Sequence, residues 1–232
     1  MGIVGLWILG FRPSLPERYH FAELFDFAKF SWLGGMRSKT FDSVDIIVLG
    51  FFVQANLVGI YSVAWSLTKF LSLFGNAIST TVFPEISERS SQDGVEAISG
   101  LIEETVAYAG LFLIPGIIGG AILSDRLLRI YGEGFVAGEK ILVILLLAML
   151  IYTYNQQLLN TLDAINRPDL AFRANAIFIL TNLILNIVLV VSVGWIGAAV
   201  ATTLSATVGL IISYKYINSI IGFGIPIKKI SY

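Results

Sequence analysis

Cysteine is absent from this 232-residue sequence, histidine occurs once, and only 13% of its residues are charged. The first absence excludes a disulfide framework. The lone histidine, His20, reads as an interfacial residue rather than a ligand, and no Walker sequence, nucleophile motif or metal-ligand cluster is present. Neither a catalytic site nor a cofactor or metal is therefore expected. Lysine and arginine total 15 against 16 aspartates and glutamates, a net charge of −1, so nothing suggests a nucleic-acid partner. The shortage of charge also bears on class. Soluble domains usually carry about 25% charged residues, and this chain lacks the polar surface that water requires.

Apolar length is what the sequence has instead. Hydrophobic residues make up 56% of it, and mean hydropathy is +0.82. Val106 to Leu123, Ile141 to Leu162 and Ala174 to Tyr214 contain no charged residue. A bilayer-spanning helix needs about 20 predominantly apolar residues, so the last stretch is long enough for two. The chain reads as an all-α, polytopic integral membrane protein.

Apolar runs and breakers place six helices. They cover about Phe27–Val53, Leu57–Phe83, Val95–Leu123, Ile141–Leu162, Leu170–Val191 and Ile196–Ile217. The QAN sequence at 54–56 turns the first helix into the second. Pro84, which supplies no amide donor and restricts the residue before it, is expected to stop the second helix ahead of a polar loop, PEISERSSQDG. Residues 19–232 form the six-helix lobe. The apolar MGIVGLWILGFRPS lacks a basic leader and is a poor signal peptide. Residues 1–18 read as the tail of a preceding, truncated helix plus a cytoplasmic linker.

Basic residues sort unevenly between the two sides. Arg12, Arg18, Lys29, Arg89, Arg167, Arg173, Lys215, Lys228 and Lys229 fall on one side, and Arg126, Arg129 and Lys140 on the other. The positive-inside rule makes the first side cytoplasmic. Both ends of the six-helix unit, including the C-terminal tail, then face the cytoplasm.

The remaining basic residues lie within spans. LGGMRSKTFDSVDIIVLGFF carries Arg37, Lys39, Asp42 and Asp45 into the first helix, and Lys69 lies about halfway along the second. A charge at a helix centre costs roughly 2.5–3.5 kcal/mol on an insertion scale, so these residues should face protein or a water-filled cavity. Lys39, Asp42 and Asp45 step back about 60° each and form a stripe; Lys39 and Asp42 are also spaced to pair. One reading is a polar cavity in which Arg37, Lys39 and Lys69 attract a phosphate or pyrophosphate. The other is internal neutralisation by Asp42 and Asp45 that holds helices together, and Asp45 suits a structural role best.

Other intramembrane features are less specific. Asn155, Gln156, Gln157, Asn175, Asn182 and Asn186 fit hydrogen bonds between helices, with Asn182 and Asn186 on one face. Pro115, Gly116, Gly119 and Gly120 form a kink-prone, closely packing segment of the third helix, suited to a hinge or a static bend.

FDSVDIIVLGFFVQANLVGIYSVA, TVFPEISE, RIYGEGFVAGEKILVIL and NLILNIVLVVSVGWIGAAVATTLS occur in that order over about residues 20–220. This ordered set resembles the Wzx-like polysaccharide and oligosaccharide flippases of the multidrug/oligosaccharidyl-lipid/polysaccharide exporter superfamily. The resemblance is to the C-terminal lobe of a two-lobe protein. It implies flipping of a lipid-linked sugar or oligosaccharide across the cell membrane by alternating access, with membrane lipid around the protein. It also implies an N-terminal lobe or second subunit as partner, so the chain reads as a fragment, a half-transporter or a dimer subunit. Alternatives are a cation-coupled multidrug-type exporter, with Asp42 and Asp45 as proton or sodium sites, and a non-transporting scaffold of a glycan-assembly complex. An integral membrane glycosyltransferase is disfavoured by the lack of an acidic catalytic motif in an outside loop.

Overall fold

The computed structural model describes residues 44–221. Arg37, Lys39 and Asp42 lie outside the described residues. The described chain is helical throughout. It opens with helix α1 (44–52), followed by α2 (Ala55–Gln92), a 3-10 turn (Val95–Ile98) and α3 (Ser99–Ile122). A short helix α4 (Ser124–Arg129) and a second 3-10 turn (Glu133–Gly138) lead to α5 (Glu139–Ala164), α6 (Pro168–Val193) and α7 (Ile196–Ile221). Five of these segments, based on α2, α3, α5, α6 and α7, are long and apolar enough to cross a membrane.

Pro84 does not stop the second helix. α2 runs 38 residues, to Gln92, with Pro84 inside it. An internal proline costs about 3 kcal/mol because one ladder hydrogen bond is lost. Downstream contacts offset that loss. Ile86 is buried in a core cluster with Ile98 and Ile102, and burying such a side chain is worth about 1.5–3 kcal/mol. One turn apart, Arg89 pairs with Glu85 at 2.6 Å and Gln92 donates to Glu88 at 3.2 Å. Most of the expected polar loop is therefore helix, and the turn contracts to Asp93 and Gly94, whose φ is 89°. At about 1.5 Å per residue α2 is about 57 Å long, well beyond a hydrocarbon core of about 30 Å.

The expected loop at 124–140 is likewise structured: Leu128 is buried in the main core with Phe135 packed against it, and Arg129 bridges Asp125 at 3.0 Å and Glu133 at 2.9 Å on the surface. The turn between α5 and α6 uses Asn166 at φ 58°, a conformation that asparagine tolerates.

Small residues decide how the last three helices meet. The buried face of α7 is Gly197, Ala198, Ala201, Ser205, Ala206 and Gly209, among others, and it packs against α5 and α6. Without large side chains the backbones approach closely. Gly194, at φ 76°, makes the turn, and a Cβ on Gly197 would run into the Leu189 carbonyl. In α3 a Cβ on Gly119 would meet nothing within 4 Å. Gly197→Ala should therefore lower the melting temperature of the protein in detergent, by an amount corresponding to about 1–3 kcal/mol of overpacking. Gly119→Ala should leave it unchanged or raise it, and equal melting for both variants would refute this packing.

Candidate functional site

Two polar features stand out in this apolar bundle. The first is a buried node centred on Asp45. Asp45 lies on the inward face of α1 with Val48 and Leu49 and is only 4% exposed. Tyr61 of α2 and Thr202 of α7 each donate a hydroxyl hydrogen bond to Oδ2 at 2.5 Å, and Asn186 Nδ2 of α6 donates to Oδ1 at 2.7 Å. Tyr61, Thr202 and Asn186 are themselves fully buried. Around them Asn182 donates to Ser205 Oγ at 3.0 Å, and Asn186 also donates to the Asn182 carbonyl at 3.1 Å. One carboxylate thereby ties four helices together. Among the described residues the ion pairs are Arg89–Glu85, Arg129–Asp125, Arg129–Glu133 and Arg167–Asp169, all exposed, and none reaches Asp45. Asn186 Oδ1 is buried without a hydrogen-bond partner.

The second feature is a face of α2. Ser62, Ser66, Lys69, Asn76 and Thr80 recur at helical spacing along one side, interrupted by Leu73; Ser66, Leu73, Asn76 and Thr80 are exposed, and Ser62 and Lys69 are half-buried. The hydroxyls of Ser62, Ser66 and Thr80 bond back to carbonyls one turn earlier, at 2.8–2.9 Å. The outward faces of α3 and α6 contrast with it. Leu111, Ile114 and Ile118 on α3, and Leu180, Ile184 and Val188 on α6, present hydrocarbon. Tyr61 points inward on α2, and Lys69 follows eight residues later, about 12 Å along the axis.

The predicted site residues thus occupy different places. Asp45 is inside the bundle and Lys69 is on the polar face. Pro115, Gly116, Gly119 and Gly120 line one stretch of α3, where a Cβ on Gly116 would lie 2.6 Å from Leu71 Cδ2 and one on Gly120 3.0 Å from Leu146 Cδ1. Asn155, Gln157, Asn182 and Asn186 do connect helices. Gln157 Nε2 donates to the Gly75 carbonyl at 2.9 Å, Ser79 donates to Gln157 Oε1 at 2.6 Å, and Ser213 donates to Asn155 Oδ1 at 2.7 Å. Sequence reasoning missed Tyr61 and Thr202, since nothing local separates them from other tyrosines and threonines of the spans. It singled out Lys69 but not the Ser–Ser–Lys–Asn–Thr periodicity around it, which was present to be read.

Comparison with known proteins follows the same outline. The family model described as lipid II flippase MurJ matches residues 11–228. A probable flippase, AglR, of Haloferax volcanii is 34% identical over 218 residues, 93% of this chain and 46% of the relative. A probable low-salt glycan biosynthesis flippase, Agl15, of the same organism is 31% identical over 222 residues, 95% of this chain and 46% of the relative. The chain spans about half the length of these curated relatives. Among solved structures, the lipid II flippase MurJ in an inward closed conformation superposes with a TM-score of 0.71 at 22% identity, covering 89% of this chain and 45% of that one. That likeness establishes the fold. With the family match running through nearly all of its length, the chain belongs to the MurJ family of flippases, within the exporter superfamily that its sequence resembles.

Proposed function

We propose that this chain is the C-terminal lobe of a two-lobe transporter that flips lipid-linked sugars or oligosaccharides to the outer leaflet by alternating access. The observation that carries this reading is the polar face of α2. Serine, asparagine and lysine turned to hydrocarbon would be costly, so such a face belongs to a water-filled passage. Hydroxyls and amides suit a sugar, and the Lys69 charge suits the phosphate that links it to lipid. Arg37, Lys39 and Asp42 extend the same lining in this proposal. A second lobe, supplied by the rest of the protein or by another subunit, closes the passage, consistent with relatives about twice as long. Residues 19–232 make up the lobe, residues 1–18 lead into it, and the Pro115–Gly120 segment serves as its hinge. The uneven distribution of basic residues supports an orientation with both ends of the lobe in the cytoplasm.

The measurement is translocation of a lipid-linked oligosaccharide in proteoliposomes. Asn76→Trp should obstruct the passage and slow translocation by tenfold or more, roughly 1.4 kcal/mol of barrier. Ile184→Trp, on the outward face of α6, serves as the control and should leave the rate unchanged. Equal effects of the two substitutions would remove the support that the α2 face gives. Orientation is tested separately by single cysteines, which stand alone in a chain with none of its own. Ser91→Cys should react with an impermeant thiol reagent only from the cytoplasmic side, and Arg126→Cys only from outside.

The Asp45 node favours a second element, coupling to a monovalent cation. No cluster of three or more acidic, histidine or cysteine ligands exists among the described residues. A single carboxylate beside the hydroxyl oxygens of Tyr61 and Thr202 balances one positive charge and suits a hard, oxygen-seeking ion. The uncommitted oxygen of Asn186 favours a sodium-class ion over a proton, which needs one oxygen alone. Asp45→Asn, close in shape, should abolish sodium dependence of translocation while the protein still folds. Unchanged sodium dependence in that variant would refute the assignment.

A further inference from the structure

We propose that Tyr61 is the positioning residue through which cation occupancy of the Asp45 node reaches the passage-lining helix α2. This rests on the cation reading of Asp45 and adds to it the route by which the ion acts on the transport path. Three facts support it. Among the described residues, Tyr61 is the only member of α2 hydrogen-bonded to Asp45, by the 2.5 Å contact to Oδ2. The other donors, Asn186 and Thr202, come from α6 and α7. The two faces of α2 are also distinct: Tyr61 is fully buried, whereas Ser66, five residues on, is exposed on the polar face.

The chemistry makes this contact sensitive to a cation. Oδ2 already accepts two hydroxyl hydrogen bonds, from Tyr61 and from Thr202. A cation on the carboxylate competes for the same lone pairs and repels the positively polarised hydroxyl hydrogens. The Tyr61 hydroxyl must then turn or withdraw, and a buried hydroxyl that loses its acceptor is unfavourable. Movement of α2 relieves this. Because α2 is one continuous helix from Ala55 to Gln92, a shift at Tyr61 is carried along to Ser66 and Lys69. Thr202 meets the same oxygen from α7 rather than from α2, so its loss should leave the connection between the node and α2 in place.

The test uses the intact protein in liposomes with a single Ser66→Cys label, comparing sodium chloride with choline chloride at fixed pH and ionic strength. Two quantities are read: the rate of thiol labelling at position 66 and the melting temperature. Sodium should raise the melting temperature and change the labelling rate by about fivefold or more, the lower end of usual coupling between sites. In Tyr61→Phe, sodium should still raise the melting temperature, but the labelling rate should no longer respond. Thr202→Val should keep the labelling response at saturating sodium. If Tyr61→Phe labels with the parent's sodium response, Tyr61 is not the connection and the cation reading stands alone. Loss of sodium stabilisation in Tyr61→Phe would make Tyr61 a ligand and also overturn the proposal. A parent protein indifferent to sodium in both readings would bring down the cation reading itself, and this proposal with it. Should Tyr61→Phe not fold, 3-fluorotyrosine at position 61 decides. A fluorine shift that titrates with sodium in step with labelling supports the connection, and an invariant signal overturns it.

Discussion

A carboxylate inside a membrane bundle constrains everything around it. Asp45 brings a carboxyl group into a region where it is only 4% exposed and has, among the described residues, no basic partner, and three helices each contribute a donor to hold it. That requirement fixes the rotation of α1, since Asp45, Val48 and Leu49 share the inward face while Ile47 and Phe51 turn outward. It also fixes which faces of α2, α6 and α7 meet. The small residues of α7 follow from the same need, because only close backbone approach brings Thr202 to α1 and Ser205 to Asn182.

Hydrogen bonding therefore specifies this bundle where hydrophobic burial cannot. Lipid is as apolar as leucine, and an apolar side chain gains little by moving from lipid to a helix interface. Asn155 with Ser213, Gln157 with Gly75 and Ser79, and Asn182 with Ser205 each select a partner helix in a way that Leu145 or Leu146 does not. The polar face of α2 differs in kind. Its hydroxyls bond back to their own helix rather than to a neighbour, and Ser66, Asn76 and Thr80 remain exposed.

Much of this was legible in the sequence, because apolar length and breakers report helices directly. Ile196 and the NRPD turn mark helix ends within a few residues of where they fall. The Asn182–Asn186 spacing announced an interhelical face for the same reason. Pro84 misled because a proline acts locally, whereas Ile86 and its neighbours at Ile98 and Ile102 hold the helix on past it through contacts distant in sequence. The Asp45 node was only half visible. A charge in a span is conspicuous, but its partners lie 16, 141 and 157 residues away, and no local pattern ties Tyr61 or Thr202 to it. Arg37, Lys39 and Asp42 lie outside the described residues, so the stripe expected on the first helix is met by structure only at Asp45.

Fold, family and the polar residues along α2 all support the central proposal, that the protein moves lipid-linked sugar across a bilayer. The most direct test reconstitutes the intact protein in liposomes carrying a lipid-linked oligosaccharide and follows the fraction of sugar open to a glycosidase added outside. The expected result is a rise in the accessible fraction with time in vesicles that contain the protein, above that in protein-free vesicles. Folded protein that leaves the accessible fraction at the protein-free level, with and without sodium, would contradict it.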